Sequence, residues 1–361
     1  MYFIDDNPLD FRMGGLKEGG IVRNTAWVNF LKEYRPNTRI ITFKITHRIF
    51  KYLNFVFFFI RAIFIKNDTV FFLYPKVGLP ILSRGRKGKI FRSAFRLLAG
   101  MLIKNRNTLI FDISDIKYEQ AIDLRLDNLD MEEIRDFEAW LFALKQKYIF
   151  ASHAMRDYAV EKHNIPLENT EVCVNGGYTP KEANPEKYPF INKDKITCVY
   201  AGTMNKGRLI EEMIEAVSNK DNIEVLLLGT GGEWVDEFLK EKHINNVKYL
   251  GAFEDSEARK ITAHCDIGLI PYDDSRLYYN IAYPTKLSFY IAAGVPFLST
   301  PVAEVLRVSE KYDIGFAYPL DEWKTFLSGL DADKLKSISD NAKDSAQDFT
   351  WNRIFDKNQF V

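Results

Sequence analysis

The residues best suited to chemistry stand between Asn280 and Pro301, in the run NIAYPTKLSFYIAAGVPFLSTP. Pro284 suits the first turn of a helix, where its missing N–H costs nothing. Leu287, Ile291 and the alanines that follow form a short apolar stripe at helical spacing. Gly294 supplies a left-handed stop, Pro296 keeps the helix from resuming, and Val295 to Ser299 reads as a short buried strand. Thr285 and Lys286 then lie in the first turn, among amides that have no acceptor inside the helix. The helix dipole disfavours a cation there. Lys286 is therefore either matched to a bound anion, for which amides plus an ammonium suit phosphate, or an ordinary surface lysine. A second group, Asp112-Ile-Ser-Asp115, ends the strand expected over 108–111. Either carboxylate could orient a hydroxyl or act as a base, and either serves equally as a helix N-cap or a turn residue.

The elements that must position these residues alternate along the chain. Strands are expected at 2–5, 39–43, 69–74, 108–111, 148–151 and 171–174, with helices at 21–34, 49–65, 89–104, 129–146 and 154–163. The loop after the first strand carries Gly14-Gly15 and Gly19-Gly20 and opens a helix. Such a loop approaches phosphate or sugar closely, or is simply flexible. A polar, turn-rich stretch at 176–195, with Pro180, Pro185 and Pro189, marks the domain boundary. Strands at 196–200, 223–228, 247–250 and 267–270 follow, alternating with helices from 206 or 207, at 233–241 and at 256–263. A last strand lies near Phe316, and the tail beyond Asp331 is helical, ending in Phe349, Trp351, Ile354 and Phe355. This is an α/β chain of two doubly wound halves, each with a mostly parallel sheet. The expected divisions are 1–177, 178–335, and a helical tail 336–361 that returns to the first domain.

At 361 residues and 47% hydrophobic composition, the chain can build two cores. Its 49 basic and 49 acidic residues cancel, but they are segregated. From Arg39 to Arg106 fifteen Lys or Arg stand against one acid, Asp68; from Asp112 to Glu138 ten acids stand against three bases. Such a basic block points to an anionic partner. Helix 89–104 reads as amphipathic, with Phe91, Phe95, Leu98 and Leu102 on one side and a stripe of Lys89, Arg92 and Arg96 on another. With the aromatic helix before it, this suggests peripheral contact with an anionic membrane, or neutralisation of the acidic block. The apolar run 49–65 is interrupted by Lys51, Asn54 and Arg61 and falls short of a membrane span. Cys173, Cys198 and Cys265 lie in apolar runs and read as reduced thiols of a cytoplasmic protein. The first residues, MYFIDDNPLD, lack a signal-peptide pattern.

In its second half the chain resembles the donor domain of GT-B glycosyltransferases, most closely the retaining family 4 type. Val199-Tyr-Ala-Gly202-Thr-Met-Asn-Lys206-Gly-Arg208 resembles that family's strand, glycine and basic segment, and Leu226-Leu-Leu-Gly229-Thr-Gly-Gly its next strand-to-loop turn. Tyr249-Leu-Gly251-Ala-Phe253, Asp266-Ile-Gly-Leu-Ile-Pro271 and Lys286-Leu-Ser-Phe-Tyr290-Ile-Ala-Ala-Gly294-Val-Pro296 follow in the family's order. The resemblance covers about 148–300, with Ala151-Ser152 and Val174-Asn175-Gly176 falling where relatives carry a serine and an Asn-Gly turn.

It implies a GT-B fold, two Rossmann-like domains facing across a cleft, and a nucleotide-sugar donor, UDP-sugar above all, with no further cofactor and no metal. Gly202, Thr203, Lys206, Arg208, Gly229, Phe253, Thr285, Lys286 and Tyr290 are then the donor-side candidates. Phe253 stacks on the base or packs in the core, and Tyr290 touches ribose or phosphate. Asp112 and Asp115 become the catalytic, acceptor-side candidates, and Gly14, Gly15, Gly19 and Gly20 an acceptor-side loop. The chain departs from the family at two places. Phe289 replaces the glutamate before the tyrosine, and Asn280 or Ile281 its partner glutamate. A divergent bacterial branch shares this pattern.

The leading reading is transfer of a sugar to a glycan, lipid-linked or protein acceptor in bacterial surface polysaccharide or glycoprotein synthesis. A non-catalytic GT-B-like partner or chaperone of a transferase complex is the alternative. No dinucleotide fingerprint follows strand 196–200, which argues against a nicotinamide dehydrogenase. The basic block contains no nucleic-acid-binding module. The five histidines lack metal-ligand spacing.

Overall fold

The computed structural model describes residues 1–5, 19–42, 48–75, 77, 79–126, 129–182, 184–205 and 208–361; Gly14, Gly15 and Lys206 lie outside them. The chain forms two compact units, 1–174 with 355–361, and 175–354. In the first, strands β1 (Tyr2–Asp5), β2 (Arg39–Thr42), β3 (Thr69–Tyr74), β4 (Thr108–Ile113), β5 (Lys147–Phe150) and β6 (Thr170–Val172) alternate with helices. The helices are α1 (Gly19–Tyr34), α2 (Arg48–Ala62), α3 (Gly85–Lys104), α4 (Lys117–Asp123), α5 (Met131–Ala143) and α6 (His153–His163). All pairings are parallel, in the order β2-β1-β3-β4-β5-β6. The central strands are largely apolar because helices cover both faces: β3, TVFFLY, is buried from Val70 onward. α6 starts where the Ser152 hydroxyl accepts the Met155 amide (2.9 Å) and ends at Asn164, left-handed at φ 51°.

The second unit repeats the plan with β7 (Ile196–Ala201), β8 (Ile223–Leu228), β9 (Val247–Gly251), β10 (Ile267–Ile270), β11 (Phe297–Ser299) and β12 (Gly315–Ala317). Between them run α7 (Ile210–Val217), α8 (Val235–Glu241), α9 (Asp255–Thr262), α10 (Leu277–Ile281), α11 (Thr285–Ala292) and α12 (Ala303–Tyr312). α13 (Trp323–Ser328), α14 (Ala332–Ser345) and α15 (Trp351–Asp356) complete the chain. The order β12-β11-β10-β7-β8-β9 is again all parallel and reverses between β7 and β10. α14 belongs to this unit, and the chain returns to the first one only at Phe355. There the Phe355 ring stacks on Trp27 of α1, with centroids 3.7 Å apart. Trp351 backs Gly176, where a Cβ would meet the Trp351 backbone at 2.7 Å.

Two expectations about the first unit are corrected. β4 runs on to Ile113, so Asp112 lies within the strand, fully buried. Arg23 of α1 holds both its oxygens, Nε to Oδ2 at 2.7 Å and Nη2 to Oδ1 at 2.6 Å, and the Trp27 indole donates to Oδ2 at 3.0 Å. Burial works against the Arg23 charge, but the Asp112 carboxylate outweighs it and raises the guanidinium pKa. Asp112 is thus a structural anchor closed to any acceptor. The basic stripe of α3 also breaks up. Arg92 is buried, donating to the Ile81 carbonyl (2.7 Å) and pairing with Glu133 (3.2 Å), while Arg96 lies over Trp140.

Glu138 of α5 is a second buried carboxyl. It accepts the Tyr74 hydroxyl (2.8 Å) and the amides of Lys117 (2.7 Å) and Tyr118 (3.3 Å). Burial raises its pKa to about 7, against the pull of those donors.

Removing the carboxylate in Asp112→Ala strands a buried guanidinium and is expected to cost about 3–5 kcal/mol in urea unfolding. A loss below about 1 kcal/mol would contradict the anchor role. For Glu138 the folded pKa is raised, so the folded state keeps a proton that the unfolded chain releases. Its contribution to stability is full below about 4.5 and is lost as pH rises through about 7. Glu138→Gln should flatten that decline; an unchanged slope of unfolding free energy against pH would refute it.

Candidate functional site

In an open parallel sheet the strands part where their order reverses, leaving a crevice beyond their carboxyl ends. In the second unit this point falls between β7, ending at Ala201, and β10, ending at Ile270. The loop after β7 is fastened to the loop after β8: the Gly202 amide donates to Leu228 and the Met204 amide to Thr230. Close approach is possible because Gly229 has φ 148° and no Cβ, which would otherwise meet the Gly202 oxygen at 1.8 Å. The Tyr249 hydroxyl donates to the Gly229 carbonyl (2.9 Å) and the Trp234 indole to that of Met204 (2.8 Å).

Gly202 also makes room for Lys286. A Cβ at Gly202 would meet the lysine Cε at 2.7 Å and Nζ at 2.9 Å. The ammonium lies over the rings of Tyr200 (4.8 Å) and Tyr272 (5.8 Å), and no carboxylate among the described residues pairs with it. Helix α11 places it in the first turn, after Pro284, and no side chain caps that helix. Its first amides therefore remain for a ligand or water. Gly294, at φ 73°, ends the helix as its sequence implies.

Tyrosines line the rest of this crevice. The Tyr200 hydroxyl donates to the Thr203 carbonyl (3.1 Å), and Tyr272 stacks on Tyr279 at 4.8 Å. Burial raises the pKa of all three phenols, opposed by Arg208 in each case and by Lys286 at Tyr272. They stay neutral donors, and the hydroxyls of Tyr272 and Tyr279 have no partner among the described residues. Arg208 is exposed and adds a second positive charge to the same cluster. An ammonium, a guanidinium, helix amides and phenol donors suit an anion with several oxygens; the Asp273 carboxylate, which acts on Tyr279, is itself held by Arg276 at 2.7 Å.

Thr203 and Thr285 are exposed beside this crevice, and Phe253, just past β9, is 37% exposed. Tyr290 is corrected. Its ring lies on Gly268, where a Cβ would meet it at 2.3 Å, and the side chain is fully buried. Its hydroxyl accepts the Ala201 amide (3.0 Å) and donates to the Leu269 carbonyl (3.2 Å), so it joins the parting strands and is closed to ribose or phosphate. Phe289 packs edge-on against Tyr290, and Asn280 donates to the carbonyls of Asp274 and Arg276; neither position offers a carboxylate.

In the first unit Asp115 lies just beyond β4, half-buried and 3.3 Å from Lys117. Gly19 and Gly20 open α1, and a Cβ at Gly20 would meet nothing, so close approach does not demand glycine there. No group of three or more His, Cys, Asp or Glu among the described residues is arranged to hold a metal. Tyr272 and Tyr279 escaped the sequence reading. The only signal was aromatic residues after Pro271, where the parallel strand ends.

Residues 198–358 match the family model described as glucosyltransferase 3-like, C-terminal domain. No curated protein matches the sequence. Among solved structures the chain is similar to HepE of Anabaena in complex with UDP, at 13% identity and TM-score 0.66, over 99% of this chain and 97% of that one. It is similar at 12% identity and TM-score 0.66 to WaaG, a glycosyltransferase involved in lipopolysaccharide biosynthesis, over 99% and 97% of the two chains. Sucrose-phosphate synthase of Thermosynechococcus elongatus gives 11% identity and TM-score 0.66, over 98% and 95%. Fold and domain together define the class: the chain has the fold of the GT-B glycosyltransferases, and its second unit carries a glucosyltransferase-like domain. The branch that its second unit resembles is the glucosyltransferase 3-like one.

Tyr290→Phe leaves the Ala201 amide and the Leu269 carbonyl without their partner and should cost about 1–3 kcal/mol of stability. Donor affinity of the folded variant should stay within about twofold of the parent. A large loss of donor affinity with unchanged stability would return Tyr290 to the binding surface.

Proposed function

We propose that this transferase moves a sugar from a nucleoside diphosphate sugar, UDP-sugar above all, without a divalent metal and with retention of anomeric configuration. The observation that carries the reading is the Lys286 ammonium, set beside Gly202 in the first turn of an uncapped helix and over two tyrosine rings. As the glycosidic bond breaks, negative charge gathers on the departing diphosphate. Preorganised donors aimed at that charge contribute a few kcal/mol each. Lys286, Arg208 and the first amides of α11 are the donors here, with Tyr272 and Tyr279 as further hydrogen-bond partners and Phe253 as the platform for the base. HepE, which has the same fold, was solved with UDP and with UDP-glucose. That makes a uridine nucleotide the first ligand to try.

The acceptor is a glycan, a lipid-linked saccharide or a protein of bacterial surface polysaccharide or glycoprotein synthesis, met in the cytoplasm or at the inner face of the membrane. With Asp112 committed to Arg23, Asp115 is the remaining acceptor-side carboxylate of the pair. The donor sugar is the only co-substrate in this reading.

Lys286→Ala should weaken UDP binding by about 1.5–3 kcal/mol in calorimetry, the value of a hydrogen bond to a charged group. EDTA should leave UDP affinity unchanged. Equal affinity in parent and variant would reject the assignment of Lys286, and loss of binding in EDTA would reject the metal-free mechanism. The anomeric configuration of the product, read by NMR, tests retention.

A further inference from the structure

The first unit carries a surface that the donor site does not use. The chain moves in one direction across its sheet from β2 to β3 and from β3 to β4, so right-handed crossovers set α2 and α3 on the same face. The Asn105 amide, at the end of α3, donates to the Ile63 carbonyl just past α2 (3.0 Å) and ties their ends together. Phe55, Phe58 and Ala62 of α2 point inward with Phe95, Leu98 and Leu102 of α3.

The outer side is also apolar. Leu53, Val56, Phe57 and Ile60 of α2 are exposed, with Phe64 just beyond, at the three- and four-residue spacing of one helical stripe. Phe57 is 68% exposed and Phe64 76%. α3 adds Ile90 and Leu97. Large apolar side chains rarely gather on a soluble surface unless something covers them. Charge says what that is. Arg86, Lys87, Lys89 and Lys104 of α3 are exposed, and neither helix contains an acidic residue.

We infer that the outer face of α2 and α3 is a docking surface for an anionic lipid bilayer. Its phenylalanines enter the boundary of the acyl chains, and its lysines and arginines meet the headgroup phosphates. At 15 residues α2 is too short to span a membrane, and no helix among the described residues is long and apolar enough to do so. The contact is therefore flat and reversible. A second copy of the chain fits less well, because a symmetric pairing on this face would bring basic helix against basic helix. This surface lies outside the donor site and does not depend on the reading of that site.

The test is flotation of the full chain with vesicles of phosphatidylcholine alone, or mixed with phosphatidylglycerol. Each well-placed Lys or Arg multiplies anionic binding by about fivefold. The parent should therefore partition at least about tenfold more onto anionic vesicles, and salt should reverse this. F57S/F64S should abolish binding, and K87E/K89E should remove the preference for anionic lipid. UDP affinity in the second unit and the melting profile serve as controls of folding for both variants. Equal recovery in the supernatant with anionic and neutral vesicles overturns the inference, as does binding that survives F57S/F64S in a folded protein. A concentration-dependent dimer broken by F57S/F64S, without vesicle binding, overturns it in favour of a second copy.

Discussion

Where β7 and β10 part, backbone groups at their carboxyl ends lose the ladder that held them, and the Tyr290 hydroxyl satisfies one on each strand. The crevice is built beside that bridge. It joins the two strands where the loop that begins at Gly202 leaves β7. It also pins α11, one turn from Lys286, to the sheet. Since Tyr290 lies on Gly268 without a Cβ between them, helix and strand approach closely enough for the ammonium to reach Gly202. The cation is thus preorganised by packing rather than by an ion pair.

Much of this architecture was legible because parallel strands covered on both faces leave nearly continuous apolar runs, as in TVFFLY and, but for Glu224, IEVLLL. The helix from Thr285, its stop at Gly294 and the cation in its first turn were readable for the same reason: they are local. What escaped depends on distant partners. Two more residues of strand placed Asp112 inside β4, and its partner Arg23 stands 89 positions earlier. Arg92 looked like a surface charge until its contacts with Ile81 and Glu133 showed it buried. Tyr290 lies one helical turn from Lys286, yet that turn spans the change from open crevice to sheet interior. α12 and α13 went unread, although the apolar faces they bury are as regular as those of helices that were recognised.

The segregated charge acquires a physical meaning in the same way. The acidic block, which looked like a neutraliser of the basic one, is largely consumed at close range. Asp112 meets Arg23, Glu133 meets Arg92, Glu119 meets Lys162, and Glu138 caps the start of α4. Among the described residues Arg86, Lys87, Lys89 and Lys104 of α3 stay exposed, as do Arg61, Lys66, Arg84 and Arg106. Summed charge is zero for the chain, but the field around the first unit is not.

The stacking of Phe355 on Trp27 makes the first unit discontinuous, and this bears on how the protein is born. Residues 1–174 leave the ribosome long before their last partner does, with all of 175–354 synthesised in between. At 5–20 residues per second the interval is roughly 10–35 s. Throughout it the Trp27 ring, fully buried in the finished molecule, lacks its covering aromatic. The nascent first unit therefore waits with a sticky seam open, and the second unit, contiguous in sequence, is free to mature before the first is sealed.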